Sequence, residues 1–475
     1  MTRDWTTSGP DLHLALAAVG TRHAALEDAL RTAVRDGRLA AGTRLPSTRA
    51  LAGDLGLSRG TVVEAFAQLT AEGYLDARHG AGTWVADISL AGAQGVPPPE
   101  RPARAARFDF SPGLPDLTSF PQAAWTSALR QGLRGLSAAS LGYGDPRGRR
   151  DLREQLASYL ARARGVRADP ELVVVCSGFR HGLSLVARAL RLEGARTIAM
   201  EDPCAEQHRA VAEGAGLSLR ALPVDARGAR TDLLDASVAG AVLSPAHQFP
   251  MGVVLQRDRR AAAITWAAAT GGLIVEDDYD GEFRYDRQPV GALQALAPDR
   301  VVYGGTSSKT LAPGLRLAWI VVPPRLLGPI VGLRSAEDVH VSALEQVALR
   351  QLLLSGGYER HVRRMRACYR GRRDRVLEML AKSAPALVPL GISAGLGVLL
   401  ELPEGGPSAA LLIEQAGRRS IRLHPLAPGY AGGRAPRDGI VLGYGALPDH
   451  DFEAGLEALG ALLADMIPAL ARSKC

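Results

Sequence analysis

The sequence predicts two folded parts of different class, a small helical domain followed by a large α/β domain. Strands and helices alternate along the chain from Phe108 onward, which is typical of an α/β fold. The residues before position 88 instead contain three short amphipathic helices and then two short strands. Residues 88–107 contain a Pro-Pro-Pro run, small residues and no apolar periodicity, which is the composition of a linker. We therefore expect domains at 1–87 and 108–475, joined by a linker at 88–107.

The helical domain shows clear start and stop signals. Apolar residues recur at helical spacing over residues 21–36 and predict the first helix. A second helix starts within residues 45–51 with a capping hydroxyl and ends at Gly56. A third helix starts at Ser58 and ends at Gly73. Two short helices around such a turn form a helix-turn-helix, whose second helix enters the DNA major groove.

Two short strands follow, at residues 74–78 and 82–85, around His79-Gly80-Ala81. This arrangement predicts the wing of a winged helix-turn-helix. The net charge of +7 does not come from this domain, because residues 1–90 contain nine arginines against ten acidic residues. DNA contacts must therefore depend on where individual arginines lie.

The segment LPSTRALAGDLGLSRGTVVEAFAQLTAEGYLDARHGAGTWV resembles the GntR-family winged helix over most of its length. The resemblance implies DNA binding, with the wing near the minor groove. The alternative is a winged helix that serves only for dimerisation or protein binding. The residues that we predict to bind DNA are Ser47, Arg49, Ser58, Arg59, Thr61, His79 and Gly80.

Lys309 is one of only three lysines in a chain with 56 basic residues, so position 309 requires a primary amine. An amine condenses with an aldehyde to form a Schiff base, and a guanidinium does not. The hydroxyls of Thr306 and Ser308 suit a phosphate, and Arg316 follows after a Pro-Gly turn. The alternative, a surface lysine retained by chance, does not explain this cluster.

A second cluster follows a short apolar run that predicts a buried strand ending in acidic residues. Asp277 and Tyr279 lie two apart and therefore face the same way. A carboxylate keeps a pyridine nitrogen protonated, and a phenol can hydrogen-bond the 3-oxygen of the ring. A further strand delivers Ser177-Gly178 to the start of a helix, where free amides bind phosphate.

The segments EDDYDGEFRY, GTSSKTLAPGLRLAW and SPAHQFPMG are similar to the aminotransferase-like domain of the MocR/GabR regulators, a fold-type I pyridoxal-phosphate (PLP) fold. With the winged helix, the resemblance covers nearly the whole chain. It implies a large α/β PLP domain, a small C-terminal α+β domain and PLP as the cofactor. It implies that Lys309 is the PLP lysine, with Asp277 on the ring nitrogen, Tyr279 on the 3-oxygen and Arg316 on the phosphate.

The tyrosine of the YGDPRG loop, Tyr143, reaches the phosphate of the neighbouring subunit in such proteins. We therefore expect a homodimer in which the winged helix of one chain lies over the large domain of the other. The predicted cofactor-binding residues are Tyr143, Ser177, Gly178, His247, Asp277, Tyr279, Thr306, Ser308, Lys309 and Arg316.

The sequence departs from a working aminotransferase where an aromatic residue stacks on the PLP ring. Ala205 occupies that position, and either His208 or Phe179 could substitute.

Two polar groups of a working aminotransferase are also missing. Phe249 replaces the asparagine that holds the 3-oxygen, with His247 and Gln248 as the nearest polar residues. Val441 stands where an arginine would bind the substrate α-carboxylate, and Arg422 is the candidate replacement. Losing a bidentate charged clamp weakens amino-acid binding.

These departures favour a regulator over an enzyme, with PLP itself as the effector and vitamin B6 synthesis genes as the target. The alternatives are a regulator that senses an amino acid or amine, a working aminotransferase with a fused winged helix, and a DNA-binding protein whose large domain is a cofactor-free scaffold. No apolar run approaches the ~20 residues that span a bilayer. The four cysteines are scattered without metal-ligand spacing, so we expect reduced thiols and a cytoplasmic protein.

Overall fold

The computed structural model describes residues 21–78, 82–87, 106–286, 290–391 and 393–467. The chain divides into two compact units, residues 1–103 and 104–475. The predicted wing residues His79 and Gly80, and residues 88–105 of the predicted linker, lie outside the described part. Within that part, no helix is both long enough and apolar enough to cross a membrane.

The first unit is a winged helix, as the sequence predicts. Its elements are α1 (Arg22–Arg35), α2 (Thr48–Leu55), α3 (Arg59–Ala71), β1 (Leu75–Arg78) and β2 (Gly82–Val85). Leu26 and Leu30 of α1 are fully buried against Leu69 of α3. The two strands pair antiparallel, with Leu75 opposite Val85.

Hydroxyl caps fix the ends of the helix-turn-helix. Ser47 Oγ accepts a hydrogen bond from Ala50 N at 3.2 Å, and Ser58 Oγ accepts one from Thr61 N at 3.1 Å. Gly56 ends α2 with φ +64°, a left-handed conformation that a side chain disfavours. The turn and the start of α3 are therefore defined by local chemistry.

The second unit is an α/β domain with a smaller domain attached. Its helices are α4 (Gln122–Arg134), α5 (Arg150–Arg164), α6 (Phe179–Leu192), α7 (Glu206–Gly214), α8 (Arg257–Thr270), α9 (Pro324–Glu337), α10 (Ala343–Leu354), α11 (Gly357–Ser383), α12 (Ala409–Arg418) and α13 (Asp449–Met466). Its strands are β3 (Phe108–Asp109), β4 (Val173–Cys176), β5 (Thr197–Asp202), β6 (Ser218–Asp225), β7 (Gly228–Ala229), β8 (Gly240–Leu243), β9 (Leu273–Asp278), β10 (Val301–Thr306), β11 (Ala318–Val321), β12 (Pro389–Leu390), β13 (Gly397–Glu401), β14 (Ile421–Arg422), β15 (His424–Pro425) and β16 (Gly439–Gly443).

The large domain is built on one sheet with strand order β4-β11-β10-β9-β8-β5-β6-β7. The pairs within β10-β9-β8-β5-β6 are parallel, whereas β11 runs antiparallel to both of its neighbours. The central strands are buried along their whole length, as expected for a sheet covered on both faces. The carboxyl ends of β4, β5, β9 and β10 therefore meet at one edge, where α/β folds bind ligands.

The small domain is larger than the sequence predicts. From the sequence alone, the helices over residues 344–380 fit the large domain, and the small domain begins near residue 392. In the structure, Tyr358 and Val362 of α11 pack in the large-domain core, whereas Tyr369 and Val376 of the same helix pack in the small-domain core. One long helix is thus shared, because its apolar face continues beyond the large domain.

The chain segment that follows the linker also joins the small domain. β3 pairs in parallel with β14, and Phe110 N donates to Arg422 O at 3.1 Å. Phe108 and Phe110 are buried in the small-domain core. Residues 108–110 are therefore part of the small domain, although they lie more than 300 positions before β14 in the sequence.

Candidate functional site

A cavity of about 410 Å³ lies at the carboxyl edge of the large sheet. This volume is in the range that small-molecule ligands occupy. Most of the predicted cofactor-binding residues line it: Gly178, Asp277, Tyr279, Thr306, Ser308, Lys309 and Arg316.

Lys309 follows β10, and its amine points to a backbone carbonyl. The Nζ atom donates to Gly113 O at 2.6 Å. Burial lowers the pKa of Lys309 from its usual value, and nearby Arg180 lowers it further, while Asp280 and Asp277 oppose the shift. A larger share of this amine is therefore neutral and nucleophilic than of an exposed lysine amine.

Asp277 near the end of β9 carries an unsatisfied oxygen. The side chain is buried, and within the described part of the chain Oδ1 has no hydrogen-bond partner. Oδ2 lies 3.8 Å from His208 Nδ1. Burial raises the pKa of Asp277 well above its usual range, and Asp278 and Asp280 add to the shift. A cationic group at Oδ1 would remove this penalty.

The neighbouring carboxylate of Asp278 serves the fold. Adjacent strand residues face opposite ways. Asp278 accepts hydrogen bonds from Arg164 at 2.6 and 2.9 Å and from Tyr303 Oη at 2.7 Å, all buried. Asp278 is thus bound by Arg164 and Tyr303, whereas Asp277 faces the cavity.

Tyr279 lines the cavity, and its hydroxyl group contacts a buried histidine. Its Oη lies 3.0 Å from His247 Nδ1, which in turn lies 2.8 Å from Asp280 Oδ2. His247 is not among the residues that line this cavity, and its assignment as a cofactor-binding residue stays a prediction. Gln248 bonds Pro203 O and Phe249 O at 2.7 Å each, so it holds a loop together.

Arg316 and Gly178 form one end of the cavity. Arg316 has a left-handed backbone, with φ 52°, and its guanidinium donates to Ser177 O. A Cβ atom at Gly178, whose φ is +94°, would lie 2.7 Å from Arg316 Nη2. A side chain at this φ would be strained, and the guanidinium beside the start of α6 would have to shift. Ser177 contributes its backbone here, since its N donates to His181 Nδ1 at 3.1 Å.

Thr306 and Ser308 are linked to each other in the turn that precedes Lys309. Thr306 Oγ1 donates to Ser308 Oγ at 2.9 Å and accepts from Ser308 N at 3.1 Å. Their hydroxyls therefore hold the turn that leads from β10 to Lys309, and both residues face the cavity.

Tyr143 lies outside this cavity. Its side chain is 95% exposed in the loop before α5, beside Leu141, which is 66% exposed. The prediction that Tyr143 completes the site of a second subunit stays a prediction.

The positions that depart from the aminotransferase pattern have defined surroundings. Ala205, His208 and Phe179 all line the cavity, and the rings of Phe179 and His208 lie 5.3 Å apart. Burial lowers the pKa of His208 to about 4, with Arg180 and Lys309 contributing, so the ring is neutral at neutral pH. Both aromatic candidates for the place of the missing ring are thus present.

The carboxylate-binding arginine has no replacement at Arg422. Val441 is buried in an apolar cluster with Leu399 and Leu426, packed against Phe249. Arg422 is exposed, and its Nη1 lies 3.1 Å from Asp109 Oδ2 on the small domain. The suggestion that Arg422 substitutes for the missing clamp is therefore wrong, because a partner distant in sequence already holds it.

In the winged helix, Arg49 and Arg59 differ from the arginines around them. Both are exposed, and neither forms a hydrogen bond or ion pair with another described residue. By contrast, Arg31 pairs with Glu72 at 2.9 Å, and Arg35 donates to Tyr74 Oη at 2.8 Å. The two arginines that we predict at the DNA are thus free to bind a partner.

The other predicted DNA contacts also lie on this surface. Ser47, Ser58 and Thr61 stand at the starts of α2 and α3, where they are exposed or partly exposed. Ser47 and Ser58 use a hydroxyl lone pair for capping, and Ser58 Oγ lies 2.8 Å from Thr61 Oγ1. Their capping role is visible, and their DNA contacts stay predictions.

Sequence reasoning missed several residues of the cavity, among them Gly113 and Arg180. Gly113 lies 196 positions before Lys309, and nothing in its local sequence signals the contact. Arg180 is the second residue of α6, directly after the predicted Ser177-Gly178 loop, so the loop itself was the available signal.

Comparison with known proteins covers both units. Residues 23–85 match the family model of bacterial regulatory proteins of the gntR family, and residues 110–410 match that of class I and II aminotransferases. The uncharacterised HTH-type transcriptional regulator YhdI of Bacillus subtilis (strain 168) is 34% identical over 90% of this chain and 93% of its own length. The HTH-type pyridoxine biosynthesis transcriptional regulator PdxR of Corynebacterium glutamicum is 32% identical over 89% of this chain and 91% of its own.

Among solved structures, the α-aminoadipate aminotransferase LysN of Thermus thermophilus, complexed with N-(5′-phosphopyridoxyl)-L-leucine, is similar to this chain. It aligns with a TM-score of 0.67 at 25% identity, over 76% of this chain and 93% of the enzyme. The fold prediction, a winged helix joined to a fold-type I domain, is therefore confirmed.

Proposed function

Because the chain belongs to the GntR-type bacterial regulators that carry an aminotransferase class I and II domain, we propose that it binds PLP at Lys309 and regulates transcription according to the PLP level. The observation that carries this proposal is the pairing, in one cavity, of an amine of lowered pKa with a buried carboxylate oxygen that lacks a partner among the described residues. The name of the Corynebacterium relative, a pyridoxine biosynthesis regulator, favours genes of pyridoxine (vitamin B6) synthesis as the target.

The residues present fit PLP at each of its polar groups. The unpartnered Oδ1 of Asp277 suits a protonated ring nitrogen, which would satisfy the buried carboxylate. The space at Gly178, together with Arg316 and the start of α6, suits a phosphate. When bound, PLP supplies an aldehyde that condenses with a lysine amine and a ring that withdraws electrons.

The chain's own residues prepare these interactions. Burial of Lys309 keeps more of its amine neutral. The Asp280–His247 pair orients the phenol of Tyr279 toward the cavity, where it can donate to the ring oxygen. Arg316 is positioned beside the phosphate end by its bond to Ser177 O. Each group acts by binding or orienting, which a sensor of PLP requires.

The apolar cluster around Val441 favours a regulatory role over turnover. Val441 and its apolar neighbours provide no charge for a substrate α-carboxylate. An amino-acid substrate would have to lose its hydration there without a compensating ion pair. The relatives that match over most of the chain are named as transcriptional regulators. Residual transamination is the second candidate, since the fold is that of aminotransferases, and a coupled assay with an amino donor and a keto acid tests it.

We place the DNA contacts at Arg49 and Arg59, with Ser47, Ser58, Thr61, His79 and Gly80 around them. The absence of intramolecular partners for these two arginines within the described residues supports this assignment. The exposed Tyr143 and Leu141 support a homodimer whose cofactor sites are completed across the interface. The head-to-tail exchange of winged helices in that dimer stays a prediction.

The deciding experiment measures operator binding against cofactor loading. The DNA that the purified protein retains from fragmented genomic DNA identifies the operator. Apo protein is then titrated with PLP while operator affinity is followed. We expect a saturable change in operator affinity with PLP, because a ligand shifts a regulator only by binding one state better than another. Equal affinity of apo and PLP-loaded protein for the operator would refute PLP as the signal.

A further inference from the structure

The histidine in the first turn of α6, His181, has no part in the proposed function. It is the third residue of the helix, and its Nδ1 accepts a hydrogen bond from Ser177 N at 3.1 Å. In a capping box, the third residue of a helix likewise reaches back to a backbone amide at the helix start, a role usually taken by glutamate or glutamine. His181 therefore closes the turn from β4 into α6, at the end of the cavity where Gly178 and Arg316 lie.

Ser177 is thereby held at both of its backbone polar groups. Arg316 donates to Ser177 O, and Ser177 N donates to His181. The amides in the first turn of a helix have no acceptor within the helix, and they can bind a phosphate. Because Ser177 lies directly before this turn, holding its peptide groups fixes the direction in which α6 presents those amides to the cavity.

The contacts of the His181 ring select one tautomer. Nε2 lies 3.3 Å from Glu337 Oε2, a carboxylate acceptor, so we assign the proton to Nε2. Nδ1 is then the acceptor that the bond from Ser177 N requires. Burial, with the charge of Arg334 adding to it, lowers the pKa of His181 to about 4, so the ring keeps this neutral form at neutral pH.

A buried arginine of α9 fixes the position of this ring. Arg334 is fully buried, and its Nη1 lies 3.1 and 3.2 Å from the two ring nitrogens of His181. Its Nε donates to Pro146 O at 3.4 Å, in the YGDPRG loop that also carries Tyr143. One guanidinium thus connects the ring that holds Ser177 to the loop before α5.

We propose that His181 is the positioning residue of the phosphate end, and that it makes the cavity select PLP over unphosphorylated pyridoxal. The proposal rests on the proposed function, because it concerns how the chain holds the phosphate group of PLP. His181 is not among the residues that line the cavity, so it acts through Ser177 and the first amides of α6.

The experiment compares two ligands that differ only in the phosphate. Apo wild-type protein, His181→Leu and His181→Gln are titrated with PLP and with pyridoxal, following the visible absorption of the bound aldehyde. His181→Leu removes the acceptor for Ser177 N, whereas His181→Gln keeps one, as in a capping box. We expect His181→Leu to weaken PLP binding about 5-fold, the effect of one lost hydrogen bond, and to leave pyridoxal unchanged. His181→Gln should bind both ligands as wild type does.

Arg191→Leu is the matched control, because Arg191 lies near the other end of the same helix and donates to Ala195 O at 3.4 Å. It should bind PLP and pyridoxal like wild type. If His181→Leu does not fold, His181→Ala takes its place, since it removes the same acceptor with less bulk. An equal loss of affinity for both ligands would show that His181 only stabilises the fold, and wild-type affinity of His181→Leu for PLP would also overturn the proposal.

A second measurement separates this proposal from the proposed function. Urea unfolding of the apo proteins is followed with and without inorganic phosphate, at an ionic strength held constant with chloride. We expect phosphate to stabilise wild type and His181→Gln but not His181→Leu, even if wild type binds neither PLP nor pyridoxal and the proposed function fails. No stabilisation of wild type, or equal stabilisation of both variants, overturns the proposal.

Discussion

Replacing Asp277 with asparagine should stabilise the apo protein while weakening its affinity for PLP. The buried carboxyl has a pKa raised well above its usual range, mainly by burial, and its Oδ1 lacks a partner among the described residues. A raised pKa in the folded state stabilises the protein only below the unfolded pKa of about 3.9. That contribution is lost as the pH rises toward the folded pKa, because ionisation is then easier in the unfolded chain.

The magnitude follows from this linkage. Between the unfolded and the folded pKa, wild-type protein should lose about 1.4 kcal/mol of unfolding free energy per pH unit relative to Asp277→Asn. Burial is nearly complete, so solvent screening does little to reduce the effect. For PLP, loss of a charge-assisted hydrogen bond of about 1.5–3 kcal/mol should weaken binding by roughly 10- to 100-fold.

The assay is denaturant unfolding of apo wild-type protein and Asp277→Asn at several values between about pH 4.5 and pH 7, with PLP affinity measured separately. Asp278→Asn is the matched control, since it is an isosteric change at the adjacent residue. It should instead destabilise the fold by about 3–5 kcal/mol, because the buried guanidinium of Arg164 would lose the carboxylate that balances its charge. A stability difference between Asp277→Asn and wild type that does not grow with pH would refute the reasoning.

Three other predictions concern the cofactor lysine, the DNA surface and the dimer. Borohydride reduction of PLP-loaded protein should label the peptide that contains Lys309, and Lys309→Arg should remove the visible band without unfolding the domain; a label elsewhere contradicts the assignment. Replacing Arg49 and Arg59 with alanine should lower operator affinity, by about 1–3 kcal/mol where the arginine reads a base and with a salt slope reduced by about 1 where it binds phosphate. Arg38→Ala, in which the lost arginine is paired with Asp36 at 3.6 Å, is the control and should bind DNA like wild type. Tyr143→Ala and Lys309→Ala should each impair PLP binding, and mixed dimers of the two should regain one site; failure to regain it would show that Tyr143 does not act across the interface.

The local sequence was sufficient to predict helix starts and strand directions, because these depend on residues that are neighbours in the chain. The capping hydroxyl predicted for the second helix is that of Ser47, and α3 begins after Ser58 as predicted, because a hydroxyl three residues before a free amide is a short-range signal. The direction of Asp277 and Tyr279 into one cavity follows from strand alternation. The position of Lys309 after β10 also follows from the local sequence around it.

Contacts between distant segments could not be predicted in this way. The partner of Arg422 is Asp109, 313 residues earlier, and the amine of Lys309 meets a carbonyl 196 residues earlier. The division of α11 between two cores depends on what packs against each half, which its own periodicity does not reveal. The sequence also does not reveal that His247 contacts Asp280 and the hydroxyl group of Tyr279, since both contacts depend on the tertiary fold.

The bond from Lys309 Nζ to Gly113 O has a mechanical consequence. Gly113 belongs to the stretch that begins where the chain leaves the predicted linker, and that stretch is fixed on its other side by β14 and by the bond from Gly443 N to Phe110 O at 2.9 Å. A ligand that engages the amine competes with this carbonyl for the same nitrogen. Occupancy of the cavity therefore removes one of the hydrogen bonds that hold residues 108–113 within the second unit.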